Sequence, residues 1–565
     1  KKEYGIDEDA TAEEVFNIFK KKYNIKEDDV KKARKIMTVR YEISRNGYSN
    51  IKPATISKNI SYLSANQIKE QSAIFPGASV VTTPIVKYPY GSLASHILGY
   101  VGSISSEEYN ANKDKYDIND IIGKTGIQYT LEEYLKGVDG VRQVDMSVDG
   151  TITGEYIAEE AEAGHTVVLT IDSNLQKVTE QALEKNIKKI ANGDYGKKYN
   201  AKAGAAIVMN VKTGDILALT SYPDYEPELF ITGISQKKLE EYNKGNNYYN
   251  RAISGIYAPG SVFKMVVATA ALENNTITTS TTINDTGIYP RGHNPACWIY
   301  TSRHYGHGYL NVTDAIKKSC NYFFYELGYR MGIDPVIQYA KAYGLGIKTG
   351  IELSGESSGI VDLKKQCEES TGVKWQFGDT LSAVIGQSYN SYTPIQIARY
   401  TGMLANGGKS VDVSLIKSIL DSDGNKVSKE EYEKKVNEKL GISNIPEVED
   451  LNIKKENLDA ILKGMKGVTS ENGGTAYYVF SDLDIYIAGK TGSAETGIND
   501  QVNGWFAGFA PYDDPEIAVV VLIENAGSGG NVGDTAKSII KEYFGMNAKN
   551  VNEDLTAIPS TQVNN

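Results

Sequence analysis

The sequence predicts an α+β fold, on three observations. Apolar runs of strand length are joined by short turns: Ala205 to Asn210 and Ile216 to Leu219 flank Lys212-Thr213-Gly214, and Trp505 to Ala510 precedes Ile517 to Ile523. Helical periodicity brackets these strands, with Leu175, Val178, Ala182 and Leu183 on one face and a closing helix from Asp534 to Phe544. The stretch from Ser261 to about Gly408 reads as mostly helical. Strands joined by short turns suit an antiparallel sheet, and helices at both ends can cover its faces. The helical middle then forms a subdomain, with a cleft between it and the sheet.

In chain order, residues 1–165 are polar and broken by turn signals, with apolar segments too short for a large core. They are expected to form a separate N-terminal domain. Residues 166–545 begin with the strand-like Thr166-Val167-Val168-Leu169 and carry the sheet and the helical subdomain. Residues 546–565 lack apolar periodicity and are rich in Asn and Thr, which predicts a disordered tail.

At 565 residues the chain is long enough for more than one domain, and 41% hydrophobic with 23% charged residues is ordinary for a soluble globular protein. A net charge of -11 argues against a nucleic-acid partner, whose phosphates would be repelled. No apolar run approaches the roughly 20 residues that span a bilayer; the longest is Ile517 to Ile523, and the first residues given do not read as a signal peptide. Cys297, Cys320 and Cys367 are an odd set, so at least one thiol is free, reactive or ligated.

Three short strings carry the chemistry. Ser261-Val262-Phe263-Lys264 offers a hydroxyl and a lysine able to deprotonate it, Ser319-Cys320-Asn321 a second hydroxyl and an amide, and Lys490-Thr491-Gly492-Ser493 a cationic strand edge. Together they are the parts of a serine acyl-transfer centre. Each has rivals: Ser-x-x-Lys recurs at Ser49, Ser235, Ser414 and Ser538, and Lys-Thr-Gly at Lys124, Lys212 and Lys348. Ser-x-Asn recurs too, at Ser388 and, as polar surface of the N-terminal region, at Ser44, Ser57 and Ser64.

Context separates them. Pro259-Gly260 precede Ser261 and the apolar run Val262 to Leu272 follows, so Ser261 is predicted to open a helix whose first turn carries Lys264 on the same face. The hydroxyl would then lie at a positive helix end. Lys490 continues the strand-like Asp484 to Ala488, and the small residues after it leave room for a ligand. By contrast, Ser414/Lys417 lies on a strand, Ser538/Lys541 on the closing helix, and Lys212 in a hairpin turn.

These motifs resemble the class B penicillin-binding proteins, the transpeptidases that cross-link bacterial peptidoglycan. The resemblance runs from about residue 70 to 545 and includes Phe75-Pro76-Gly77, Tyr88-Pro89-Tyr90-Gly91, Ala94-Ser95-His96, Gly123-Lys124-Thr125-Gly126, Leu169-Thr170-Ile171-Asp172, Ile385-Gly386-Gln387 and Thr393-Pro394. Gly306-His307-Gly308 through Asn311-Val312-Thr313, with Phe323-Phe324-Tyr325, is most similar to the elongation type.

The resemblance implies an antiparallel five-stranded sheet covered by helices, a helical subdomain and an elongated N-terminal pedestal. It also implies a membrane anchor, expected upstream of Lys1, and a place on the extracytoplasmic face of the cell membrane. The implied partners are stem peptides ending in D-Ala-D-Ala, β-lactams and the glycosyltransferase of the elongation complex.

On that reading Ser261 attacks the penultimate D-alanine carbonyl and Lys264 takes its proton. A lysine with an ordinary pKa of about 10.4 does this only if burial and a second cation, Lys490, lower it. Ser319 would relay the proton to the departing D-alanine and Asn321 would hold Lys264 and the substrate amide. Backbone N–H groups of Ser261 and Ser493 would hold the oxyanion. Lys490, Thr491, Gly492 and Ser493 would bind the terminal carboxylate. A D-alanyl carboxypeptidase or β-lactamase-like hydrolase shares the motifs but needs efficient attack by water. A non-catalytic β-lactam-binding scaffold would not need all three motifs intact.

His293, Cys297, His304 and His307 crowd one short stretch of a chain with five histidines, and Cys320 lies inside the second motif. Imidazole and thiolate are the ligands zinc prefers. The alternative is that the cysteines are small buried hydrophobes and the histidines surface residues. Some relatives hold zinc with residues that match Asp285, Cys297, His307 and Cys320, so the resemblance implies a structural zinc at these four; His293 and His304 stand as rivals for one position. Four protein ligands leave no open site for water, which speaks against a zinc hydrolase.

Overall fold

In a computed structural model of the chain, the described residues are 4–546 apart from 8, 47–53, 58–59, 72–73, 76, 83, 119, 148–151, 444 and 499–500. The expected tail lies outside them except for Met546. The chain divides into two compact units, Lys1–Ile85 and Val86–Asn565.

The first unit carries the helices Ala12–Lys22, Val30–Asn46 and Tyr62–Glu70. Its first helix starts at a reciprocal cap, Thr11 with Glu14, and ends on Lys20, Lys21 and Lys22, so charge at both ends opposes the helix dipole.

At the centre of the second unit is a five-stranded antiparallel sheet, in the order Ala488–Glu495, Val502–Ala510, Ile517–Ile523, Gly204–Asn210, Ile216–Tyr222. Lys212-Thr213-Gly214 makes the turn between the last two, as predicted. The sheet is covered on both faces, which is why Ile517–Ile523 reads as a continuous apolar run and every residue in it is buried. One face packs Ile207, Met209, Val520 and Leu522 against the helices Lys264–Glu273 and Pro394–Ala405. The other packs Val208, Val519 and Val521 against Ser173–Asn192 and Gly533–Tyr543. Each such side chain contributes about 1.5–3 kcal/mol on burial.

The Ser173–Asn192 helix is capped by Asp172, whose carboxylate accepts from the N–H groups of Asn174 and Leu175, both at 2.9 Å. Leu175 and Leu183 are buried as predicted, but Val178 and Ala182 are only half-buried while Gln176, Thr179 and Asn186 are buried. Gln176 satisfies itself by bracketing Leu219, donating to its carbonyl at 2.9 Å and accepting from its N–H at 2.8 Å. A polar side chain thus pins helix to strand where apolar periodicity would not place one.

Residues 86–165 carry two small strand pairs, Val101–Ser103 with Ile121–Gly123 and Val141–Met146 with Ile152–Glu159. The same segment meets the rest of the unit through polar contacts: Ala94 N–H donates to Glu180, on the Ser173–Asn192 helix, at 2.9 Å, and Tyr225 O–H donates to the Ser95 carbonyl at 2.9 Å. Tyr100, Tyr225, Tyr242, Tyr248 and Phe230 stack or meet edge to face here, a partial reason for the 39 tyrosines. Thr166–Leu169 pairs with Ile416–Leu420 outside the main sheet. No helix among the described residues is long and apolar enough to cross a membrane.

Candidate active site

Ser261 does not open an α-helix. Gly260–Phe263 is a 3-10 turn, and the α-helix begins at Lys264. The tighter turn is set by what surrounds it. Gly260 donates to the Gly386 carbonyl at 2.9 Å, Tyr257 and Tyr392 exchange backbone bonds at 2.9 and 3.0 Å, and the Trp505 indole donates to the Ala258 carbonyl at 2.9 Å. Gly260 (φ +54°) and Gly386 (φ +76°) both lie in the left-handed region, and a Cβ on Gly386 would come within 2.1 Å of the Gly260 carbonyl oxygen. The half-buried Ser261 is therefore presented on a turn pinned from three sides.

The helix behind it is buried from Lys264 to Leu272, with no solvent face. Lys264 is fully buried, and its ammonium donates to the Ser319 carbonyl at 2.8 Å, to Ser319 Oγ at 3.3 Å and to Asn321 Oδ1 at 2.7 Å. Lys490, equally buried, donates to Ser319 Oγ at 2.8 Å and to the Thr491 carbonyl at 2.8 Å. Burial pulls the Lys264 pKa from 10.5 to about 8, against an upward pull from Cys297 and Cys320. Burial, and then the neighbouring Lys264 charge, hold Lys490 well below its ordinary value.

Lys490 stands on Ala488–Glu495, which starts later than the sequence suggests: residues 484–487 precede the strand. Thr491 and Ser493 share one face by strand alternation. Ser493 is exposed, and its hydroxyl oxygen accepts from Gly529 N–H at 2.9 Å. Thr491 Oγ1 lies 2.6 Å from Thr475 Oγ1. Sequence reasoning missed Thr475, Gly529 and Trp505. Thr475 ends the turn-forming Glu471-Asn472-Gly473-Gly474, and nothing in its spacing from Lys490 marks it.

Asp285, Cys297, His307 and Cys320 converge, with donor atoms all within 4.8 Å of one another; His293 and His304 are exposed and outside the group. A short strand pair, Ile283–Asp285 with Gly308–Leu310, brings Asp285 beside His307, and Cys297 and Cys320 each cap a helix. The sulfurs lie 3.9 Å apart, unbonded, and Cys297 Sγ lies 3.6 Å from His307 Nδ1. With metal bonds of about 2.3 Å to sulfur and about 2.0 Å to nitrogen, a zinc tetrahedron has edges of about 3.8 and about 3.5 Å, which these match. The Asp285 carboxylate is 2.7 Å from His307 Nδ1 and accepts from Cys320 at 3.3 Å. Its burial would raise its pKa, but hydrogen bonds from His307, Gly287 and Cys320 outweigh this and lower it to about 2. The contact from Cys320 likewise holds the Cys297 thiol down, to about 5. The Asp285–His307 distance is that of a hydrogen bond rather than a tetrahedral edge, and burial and Cys297 push the Cys320 thiol up; the donor set of one imidazole, one carboxylate and two sulfurs fits zinc by its chemistry.

Residues 204–544 match the penicillin binding protein transpeptidase domain, and residues 1–169 the penicillin-binding protein dimerisation domain. The chain belongs to the penicillin-binding protein transpeptidases. It is 30% identical to the peptidoglycan D,D-transpeptidase MrdA of Acinetobacter baumannii, over 88% of this chain and 71% of that protein. It is 31% identical to MrdA of Escherichia coli K12, over 82% and 72%. Among solved structures, Pseudomonas aeruginosa PBP2 in complex with WCK 5153 covers 81% of this chain and 90% of its own (30% identity, TM-score 0.66). Helicobacter pylori PBP2 in complex with MreC covers 95% and 93% (26%, 0.72). A peptidoglycan synthase complex described as coordinating polymerization and crosslinking holds a chain 27% identical, covering 90% and 85% (TM-score 0.71). Within the family this is a class B, elongation-type enzyme, a D,D-transpeptidase.

Proposed function

We propose that the chain cross-links peptidoglycan stem peptides through an acyl-enzyme on Ser261, in cell elongation, and that β-lactams block it by esterifying the same hydroxyl. The observation that carries this reading is the pair of buried lysines on one hydroxyl, Ser319 Oγ. At a pKa of about 8, roughly a tenth of Lys264 is neutral at pH 7, and that fraction can take the Ser261 proton.

The Ser261 oxygen then bonds to the penultimate D-alanine carbonyl carbon. Backbone N–H groups of Ser261 and Ser493 hold the oxyanion. Ser319 passes the proton from Lys264 to the departing nitrogen as the C–N bond breaks, and D-alanine leaves. An amine from a second stem peptide attacks the ester, the C–O bond breaks, and Ser261 regains its proton. Asn321 fixes the Lys264 ammonium, while Lys490, Thr491, Gly492 and Ser493 bind the terminal carboxylate of the donor, or the carboxylate of a β-lactam.

Asp285, Cys297, His307 and Cys320 would hold a zinc ion whose contribution is structural, fixing the loop that carries Ser319 and Asn321. A membrane tether would hold the chain with the site on the extracytoplasmic face. The synthase complex that couples polymerization to crosslinking supports a polymerising glycosyltransferase as partner. The test is Ser261→Ala, measured by mass spectrometry with a penicillin: acylation should vanish with the thermal midpoint unchanged, and stoichiometric labelling of the variant overturns the assignment.

A further inference from the structure

The hydroxyl of Ser493 is supplied from behind by a group that can only donate. Gly529 N–H gives its hydrogen to Ser493 Oγ at 2.9 Å, which leaves the Ser493 proton free to point at a ligand. Thr491 has a different neighbour, the Thr475 hydroxyl at 2.6 Å, where either oxygen can be the donor. A carboxylate only accepts hydrogen bonds. Thr491 therefore serves it only if its own proton points forward and its oxygen receives one from behind.

We propose that Thr475 is a positioning residue that donates to Thr491 and so turns the Thr491 proton toward the ligand carboxylate. This rests on the reading above that Thr491 binds that carboxylate.

The turn that carries Thr475 is built to hold it. Gly474 donates to the Glu471 carbonyl at 2.9 Å and Ala476 to that of Val468 at 3.0 Å. A Cβ on Gly474 would lie 2.3 Å from the Gly467 carbonyl oxygen, so the chain there is packed against the end of the Lys455–Ser470 helix. Thr469 Oγ1 donates to the Ile487 carbonyl, tying that helix to the residue before the strand. Glu471 pairs with Lys317 at 2.6 Å, two residues before Ser319. The loop thus spans the second and third motifs, and Thr475 is where it touches the strand.

The test uses benzylpenicillin and its methyl ester, which differ in the carboxylate alone, with each variant compared to the native chain on the same probe. Thr475→Val should cut the acylation efficiency for the acid about tenfold or more, the size of one hydrogen bond to a charged group. For the ester it should stay within about twofold of native. Thr475→Ser, which keeps the hydroxyl, should restore the acid. Equal losses on both probes, or none on either, overturn the proposal, because a merely structural threonine does not distinguish acid from ester. Thr491→Val separates the two ideas. If it too fails to discriminate, the carboxylate reading itself falls; if it discriminates and Thr475→Val does not, only the role of Thr475 falls.

Discussion

Lys490 donates to Ser319 Oγ across 2.8 Å, so one buried hydrogen bond joins the strand edge to the loop of the second motif. The bond stands in a place that is poor for stability, since two lysines that are both fully buried meet on that oxygen. Desolvating a cation costs several kcal/mol unless it is paired, and here the partners are neutral hydroxyl, amide and carbonyl oxygens. Such a cost persists when the arrangement serves chemistry.

Replacing Lys490 with Met separates the two effects. The side chain keeps most of its volume and loses its charge, which relieves both its own burial cost and its repulsion of Lys264. Acylation by a penicillin should fall by about 100-fold, the loss typical of one donor or proton-relay group. The thermal midpoint should hold or rise. Calorimetry beside stopped-flow acylation checks both, and a drop in midpoint of several degrees would show that the ammonium stabilises the fold.

The same burial sets a pH dependence. Lys264 loses its proton at about 8 in the folded chain against 10.5 ordinarily. Acylation should therefore rise with pH to about 8 and level above it. For stability, the unfolded chain binds a proton between about 8 and 10.5 that the folded Lys264 does not, so this group makes stability rise with pH across that window and imposes its full cost below it. A profile of acylation efficiency from pH 6 to 10 tests the first statement, and its flattening in Lys264→Ala assigns it.

Much of this was legible in the sequence, for reasons that differ by element. Ile517–Ile523 and the turn at Lys212 were legible because apolar runs and turn residues are local signals. The motif residues stand out by order and neighbours. The 3-10 turn at Ser261 was not, because its shape is imposed by Gly386, 125 positions further along the chain and outside the reach of any local pattern. Gln176 and Asn186 were missed because a buried amide that finds its partners looks polar in the sequence. Thr475 was hidden because its meaning lies in one oxygen–oxygen distance.

Gly386→Ala puts a methyl group where the Gly260 carbonyl is, in a backbone conformation that alanine disfavours. Either the 3-10 turn or the Gly386 segment must move, and the turn carries Ser261. Acylation should fall by about 100-fold, since a misplacement of about 1 Å costs that much. Stability should fall by about 1–3 kcal/mol. Native affinity for the first non-covalent penicillin complex, with slow acylation after it, would be the signature; an unchanged acylation rate would show that the turn does not depend on Gly386.

Ser319 holds φ at +53°, a left-handed conformation that costs a non-glycine residue about 1–2 kcal/mol, so something must hold it there. Its successor Cys320 is buried, caps the Asn321–Met331 helix by accepting from Phe323 N–H at 3.4 Å, and meets Cys297 and Asp285 on its other side. A metal at the four-residue cluster would make that anchor rigid, so the chain should carry about one zinc, measured by elemental analysis. Cys320→Ser, or a chelator that empties the site, should lower the thermal midpoint by on the order of 5 °C and slow acylation in the same samples. Cys367 is the control: it is buried on the Leu363–Thr371 helix, away from the cluster, with its thiol on the Val373 carbonyl. Cys367→Ser should leave zinc content and acylation as they are. If a demonstrably metal-free chain keeps both its midpoint and its acylation rate, the conformation of Ser319 is held by protein contacts alone.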